Sequence, residues 1–166
     1  KAVITTAMQG MEFKGTVYSK PPNKMKIEID VMGTPMVQAY DGKDAWMLFP
    51  MQTGPDPQIL PKEQAEAMTE QEFEWPFIDY AAKGNAVTLE GKEEVEGAET
   101  YKLKVTKKNG KVQYYFFDME HYVPIMMQAA MESGPAKGQY IQTYLSDYQE
   151  VDGLMMPFYT EVKVGG

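Results

Sequence analysis

Lys24-Met25-Lys26-Ile27-Glu28-Ile29-Asp30-Val31 alternates charge and hydrocarbon without a break. Successive side chains of an extended strand point to opposite faces, so this octet reads as a strand with one wet and one dry face. Tyr101-Lys102-Leu103-Lys104-Val105 repeats the pattern and runs through Asn109-Gly110 into Val112-Gln113-Tyr114-Tyr115-Phe116-Phe117. Asn-Gly between alternating runs is a strong hairpin signal. With Asn109 and Gly110 as a two-residue turn, Val105 faces Tyr114 and Leu103 faces Phe116, all on one apolar side. A three-residue loop exchanges the faces, because a slip of one residue moves every side chain across the sheet.

Gly33-Thr34-Pro35, Asp41-Gly42, Glu90-Gly91, Glu96-Gly97, Ser133-Gly134-Pro135 and Asp152-Gly153 cut most of the remaining chain into strand-length pieces. Strands are predicted near 2–8, 12–18, 24–32, 35–41, 44–49, 86–95, 100–107, 111–118, 124–132, 138–147 and 155–164. Spacing this regular predicts an antiparallel meander that curves into a sandwich or barrel. One stretch departs from it. Leu60 to Lys83 places Pro61 as a first helical residue, follows it with helix formers, and carries Thr69-Glu70-Gln71-Glu72 at capping-box spacing, with Gly84 to end a second helix. The expected fold is therefore mainly β with short helices: one strongly curved antiparallel sheet of 10–11 strands, with a helical insertion over about 60–83, in a single domain spanning 1–166.

At 166 residues the chain buries enough surface to fold without a disulfide or metal, and it has no cysteine. Thiol catalysis and cysteine-type zinc sites are thereby excluded, while the redox compartment is left open. All sixteen bases are lysine against 24 carboxylates, a net charge of −8. Nucleic-acid binding, which rests on neutralising phosphates and favours arginine, is a poor fit. No run approaches the roughly 20 apolar residues of a membrane helix. The chain begins at Lys1, so an export signal or acylated cysteine would lie upstream of it.

Few residues in the sequence point to chemistry. His121 is the sole histidine, in the turn-like Asp118-Met119-Glu120-His121-Tyr122, and reads as a turn residue. Ser19, Ser133 and Ser146 are the only serines, and none lies in a Gly-x-Ser-x-Gly elbow. Asp41 with Asp44, and Asp147 with Glu150 and Asp152, lack the alternating acidic loop of a calcium motif and read as hairpin turns. No phosphate-cradling glycine loop is present. No catalytic residue, metal site or cofactor is assigned, and the protein is read as non-enzymatic.

The unusual feature is 14 methionines beside 11 tyrosines, 7 phenylalanines and 2 tryptophans. Methionine is flexible and polarisable, suiting core filling and adaptable pockets alike. An apolar sheet face beneath an aromatic-rich insertion points toward a cleft for acyl chains, with the helices as a cover that opens. The residues expected to line it are Ile27, Ile29, Leu103, Val105, Tyr114 and Phe116 from strands, with Trp75, Phe77 and Ile78 from the insertion.

Four phrases carry a family resemblance: Pro22-Asn23-Lys24-Met25-Lys26; Tyr40-Asp41-Gly42-Lys43-Asp44-Ala45-Trp46 with Pro50 after it; Val95-Glu96-Gly97 followed by Tyr101-Lys102-Leu103; and Tyr148-Gln149-Glu150-Val151-Asp152-Gly153 followed by Pro157. In order and spacing, over about Thr16 to Val164, they resemble the outer-membrane lipoprotein-sorting family of periplasmic carriers, the LolA and LolB group. The resemblance implies a half-open β-barrel around a hydrophobic cavity that shields lipoprotein acyl chains. It also implies a helical lid between Leu60 and Lys83, and a cavity role for Trp46, which matches the tryptophan after the family's Asp-Gly turn. Trp46 and Met47 must point to opposite faces, and the sequence leaves open which is which. The arginine associated with latching the family's lid has no counterpart, since this chain has no arginine.

The functional expectation is a monomeric periplasmic carrier, or one lipid-anchored in the outer membrane, that holds acyl chains of lipoproteins or other lipids. Its partners would be release and acceptor proteins at the inner or outer membrane. The rival is a non-catalytic envelope sensor or protein-interaction module with the same fold.

Overall fold

The computed structural model describes residues 1–8, 10–61, 65, 74–131 and 137–165. Two compact units divide it, Lys1–Trp75 and Pro76–Gly166. The first holds β1 (Ala2–Met8), β2 (Met11–Lys20), β3 (Lys24–Val31), β4 (Thr34–Tyr40), β5 (Ala45–Leu48), α1 (Pro50–Thr53) and β6 (Gln58–Ile59). The second holds β7 (Ala86–Val95), β8 (Ala98–Thr106), β9 (Val112–Asp118), β10 (Pro124–Ala130), β11 (Tyr140–Val151) and β12 (Leu154–Val164). Each unit is an antiparallel meander in which consecutive strands are neighbours, giving two six-stranded sheets where the sequence reading expects one. None of the described pairings joins β6 to β7.

The eleven predicted strands are all present, and the additions are small. Two-residue β6 pairs Trp46 with Ile59, and α1 is a single turn whose Thr53 hydroxyl donates back to the Phe49 carbonyl. The helices expected between Leu60 and Lys83 lie largely outside the described residues. Ala65 is helical, its amide bonding the Pro61 carbonyl at 2.9 Å. Residues 76–84 are turns rather than the expected second helix. Asp79, within the expected helix, has a positive φ of 48°, which a right-handed helix does not accommodate.

In the first sheet β3 is the expected strand, but its burial does not alternate: Lys26, Ile27, Glu28 and Ile29 are all half-buried, and Lys26 and Glu28 pair with the buried Ala39 and Val37. Val17, Ile27, Gln38, Met47 and Gln58 are successive cross-strand partners on one face, while Tyr18, Lys26, Ala39, Trp46 and Ile59 form the matching row on the other. Gly15 belongs there for lack of a side chain. A Cβ would lie 2.6 Å from the Glu28 carbonyl oxygen and 3.1 Å from Ile29 Cγ1. Tyr40 and Ala45 pack with Met25, Leu60 and Ala65 as this unit's core.

In the second sheet the β8–β9 turn contains three residues, not two. The Lys107 amide bonds the Lys111 carbonyl at 2.7 Å, the Gly110 amide bonds the Lys107 carbonyl at 2.8 Å, and Gly110 adopts φ 85°. A left-handed glycine at that place is what a three-residue hairpin loop requires. The extra residue shifts the register so that Val105 pairs Gln113 and Leu103 pairs Tyr115.

This sheet is also coiled. Lys163 Nζ on β12 lies 3.1 Å from the Glu96 carboxylate in the β7–β8 turn, although β7 and β12 are opposite edges. Five strand spacings of about 4.8 Å put those edges some 24 Å apart in a flat sheet, beyond the reach of one lysine and one glutamate. The curl closes around Val95, Phe116 and Met126.

Tyr148 on β11 ties down the start of β10, its hydroxyl donating to the Pro124 carbonyl, and burial pushes its phenol up from 10.0 to about 12. The raised value means the folded state holds the proton more tightly. That contribution to stability is whole below pH 10 and is lost between pH 10 and about 12. Ultraviolet titration of tyrosinate should show a late-ionising phase, and Tyr148→Phe should diminish it by one tyrosine. An unchanged titration curve in the variant contradicts the assignment.

Candidate functional site

Following cross-strand partners through the second sheet gives two rows that traverse all six strands on one face. Val87, Val105, Gln113, Ala129, Ile141 and Val164 form the first; Leu89, Leu103, Tyr115, Met127, Thr143 and Val162 form the second. Gln113, Thr143 and the Tyr115 hydroxyl, which donates to Gln113, interrupt the hydrocarbon. On the opposite face, Thr88, Lys104, Tyr114, Gln128, Gln142 and Lys163 form one row, and Gly91, Lys102, Phe116, Met126, Tyr144 and Glu161 the next. One side is thus apolar from edge to edge and the other mixes rings with amides and charges.

The apolar face is covered in its middle and open at its margins. Phe77 stacks edge-on against Tyr115 and Phe117, both at 5.3 Å between ring centroids, and Val105 and Tyr115 are 0% and 2% exposed. Leu89 on β7, at 58%, and Val162 on β12, at 59%, remain open to solvent. The covering segment is fixed by Asn85, which is buried. Its side-chain amide donates to the Pro76 carbonyl at 3.0 Å, and its side-chain oxygen accepts from the Lys108 amide at 3.1 Å. One residue therefore clamps the start of the segment and the β8–β9 turn together.

The other face of this sheet is occupied by its own side chains. Lys102 Nζ sits 5.1 Å from the Tyr114 ring and 5.3 Å from that of Phe116, while bonding Glu93 at 2.7 Å; Lys163 Nζ lies 4.1 Å from the Tyr144 ring. Lysine stems cover the aromatic surface while their charges meet carboxylates.

The residues predicted to line a common cavity are consequently divided. Leu103 and Val105 lie on the apolar face, and Tyr114 and Phe116 on the opposite one, because the three-residue turn changes their register. Val105 and Phe116 are completely covered by the protein's own atoms. In the first sheet Ile27 and Ile29 share a face with Met47, whereas Trp46 lies opposite, beside Lys26 and Ala39. Of the insertion residues, Trp75 ends the first unit and is half-buried, Phe77 caps the second sheet, and Ile78 is 44% exposed. The sequence reading missed Tyr115, Met127, Ile141 and Leu89. The fully apolar Ile125-Met126-Met127 of β10 hides which member faces which way, and only the register resolves it.

A depression of about 370 Å³ on the second unit is lined by Gln128, Gln142, Gln139, Tyr140, Gly138 and Gly165. Gln128 and Gln142 belong to the polar rows, so it does not coincide with the apolar surface. Among the described residues no group of three or more His, Cys, Asp or Glu is placed to hold a metal. His121 Nδ1 lies 3.1 Å from an Asp118 oxygen that also accepts the His121 and Glu120 amides. Those bonds, the His121 amide first, hold the Asp118 carboxyl below its ordinary value, and the arrangement is that of a turn.

No protein-family model matches the sequence, and no curated protein matches it. Solved structures do. A LolA superfamily protein from Nitrosomonas europaea superposes with a TM-score of 0.61 at 14% identity, covering 98% of this chain and 74% of that one. A DUF1329 family protein from Desulfovibrio piger gives 0.60 at 17%, covering 98% and 76%. An outer membrane lipoprotein-sorting protein domain from Vibrio parahaemolyticus gives 0.57 at 15%, covering 92% and 70%. The chain has a LolA-like fold.

Phe77→Ala should uncover Tyr115 and Phe117 at a cost of about 2 kcal/mol, below the range for a fully buried phenylalanine. Binding of an apolar-surface dye should rise while far-ultraviolet circular dichroism is retained. Unaltered dye binding would mean Phe77 covers nothing.

Proposed function

We propose that this LolA-like chain is an envelope carrier, working in the periplasm, that holds the acyl chains of lipoproteins or other lipids against the apolar face of its second sheet. The observation that supports this most is the pair of apolar rows running across six strands beneath Phe77, with Leu89 and Val162 open at either margin. Leu89 and Val162 are apolar side chains left in water at the margins of that face, which supports a binding role for it. Each methylene transferred from water to it contributes about 0.8 kcal/mol, so a chain of about 15 methylenes has about 12 kcal/mol gross to set against its ordering and against displacement of the cover. On this reading Tyr115 is reached when Phe77 moves, and Phe77 acts as the gate. Membrane-bound donors and acceptors that move this segment are the partners the reading calls for, and no catalytic step is needed.

The rival reading, a protein-interaction module, draws on a different place. At the β11–β12 end, Leu154, Met156 and Phe158, alternate residues on one side of β12, are each between 47% and 65% exposed, in a surface able to repack against a protein. Leu154→Ser with Met156→Ser, at the turn end of β12 and away from Val162, separates the two: a carrier keeps its lipid and a docking module loses its partner.

Native mass spectrometry of the purified protein should find acyl lipid bound in unit stoichiometry. Met127→Glu, which puts a charge in the centre of the second row, should reduce that occupancy at least tenfold, whereas Gln128→Glu on the opposite face should not. Lipid-free protein that also fails to bind a fluorescent fatty acid defeats the carrier reading.

A further inference from the structure

The two edges of the second sheet are built differently. β7, at one edge, carries Glu90, Lys92, Glu93 and Glu94, and its ladder with β8 is shifted between Leu89 and Gly91. Crowded charge and a bulge are devices that keep an edge strand from pairing with another chain. β12, at the other edge, is regular over its last five residues, where Thr160 to Val164 pair one for one with Leu145 back to Ile141. Pro157, which would interrupt pairing, stands outside them. Thr160, Val162 and Val164 are β-branched and suit an extended backbone, and Val162 and Val164 are 59% and 53% exposed. None of the described strands pairs with the outer side of β12, so its outward amides and carbonyls form a template for another strand.

The charges on this stretch select what that strand is. When a strand pairs antiparallel with its own copy about a two-fold axis, the residue at the axis meets itself and its neighbours meet reciprocally. An axis at Glu161 sets two carboxylates against each other, and one at Lys163 sets two ammonium groups together; like charges directly opposite destabilise a sheet. An axis at Val162 sets Glu161 against Lys163 of the second copy, and does so twice. Neither residue has to give up its present contacts. Lys163 Nζ lies 3.1 Å from Glu96 and 3.6 Å from Glu161 in its own chain, and an ammonium has three donors. The ladder partners of the two residues on β11 are the uncharged Tyr144 and Gln142. β1, the outer strand of the first sheet, has no charged side chain in Ala2–Met8 and offers no such selection.

We propose that β12 is a self-association edge: two copies of this chain pair antiparallel through Thr160 to Val164, with the axis at Val162 and reciprocal Glu161–Lys163 ion pairs. On the face that carries the apolar rows, Val162 then meets Val162 and Val164 meets Thr160, so that the rows of two copies become continuous across the axis. The association does not depend on what those rows bind, and it replaces the monomer that the sequence suggests.

Sedimentation velocity of the purified protein should show a dimer whose fraction rises with concentration. Glu161→Lys and Lys163→Glu, each alone, set like charges across the axis at both ends and should weaken dimerisation about tenfold or more. An equal mixture of the two variants should recover it, because each supplies the charge the other lacks, and recovery also shows that both are folded. The chain has no cysteine, so Val162→Cys should give a disulfide-linked dimer on mild oxidation. Thr160→Cys should not, since its copy would lie four residues along the ladder, about 13 Å away. A chain that stays monomeric up to about 0.5 mM overturns the proposal. So does a dimer that either single reversal leaves intact, that the mixture fails to restore, or that cross-links through position 160 as readily as through 162.

Discussion

The turn between Lys107 and Lys111 sets the meaning of the second sheet. A strand side chain belongs to one face or the other according to whether its residue number is odd or even relative to its partner, so one residue in a turn reassigns every later contact. Gly110, by taking a left-handed conformation, permits a loop of three residues and thereby places Tyr115 rather than Tyr114 with Leu103. That register gives the apolar face its continuity through β9 and β10 and its cover by Phe77.

The two faces of this sheet solve different problems. On the polar face the curl brings Val95, Phe116 and Met126 together, and Lys102 and Lys163 lay their stems over tyrosine and phenylalanine rings, so that the surface is complete without a guest. On the apolar face the margins stay open and the middle depends on one short segment held by Asn85. That segment, residues 76–84, lies in turns outside the strand ladder. On the carrier reading it is the cover that must move to admit a hydrocarbon chain.

Much of the strand map was legible in the sequence, because period-two alternation and Gly- or Asp-Gly turns report directly on local backbone geometry; Lys24 to Val31 is the clearest case. Two things were not legible. Asn-Gly signals a hairpin but not whether Lys108 is inside the loop, and that ambiguity mixed Leu103 and Val105 with Tyr114 and Phe116 in a single expected lining. Nor does composition separate an apolar side chain that supplies core from one that offers surface. Phe116 and Leu89 look equivalent in sequence, yet one is fully covered and the other more than half exposed. Trp46 shows the same limit. Its assignment came from the turn before it, whereas its face is set by Ala39, its partner across the ladder.

The account stands or falls on which face a hydrocarbon chain touches. A fatty acid carrying a photoreactive diazirine near its methyl end, irradiated with the protein and mapped by peptide mass spectrometry, reads this directly. Adducts should fall on Leu89, Leu103, Met127, Ile141 or Val162, with those on Met127 exceeding those on its neighbour Gln128. Adducts confined to Tyr114, Gln128, Gln142 or Tyr144, or spread evenly between the faces, would contradict it.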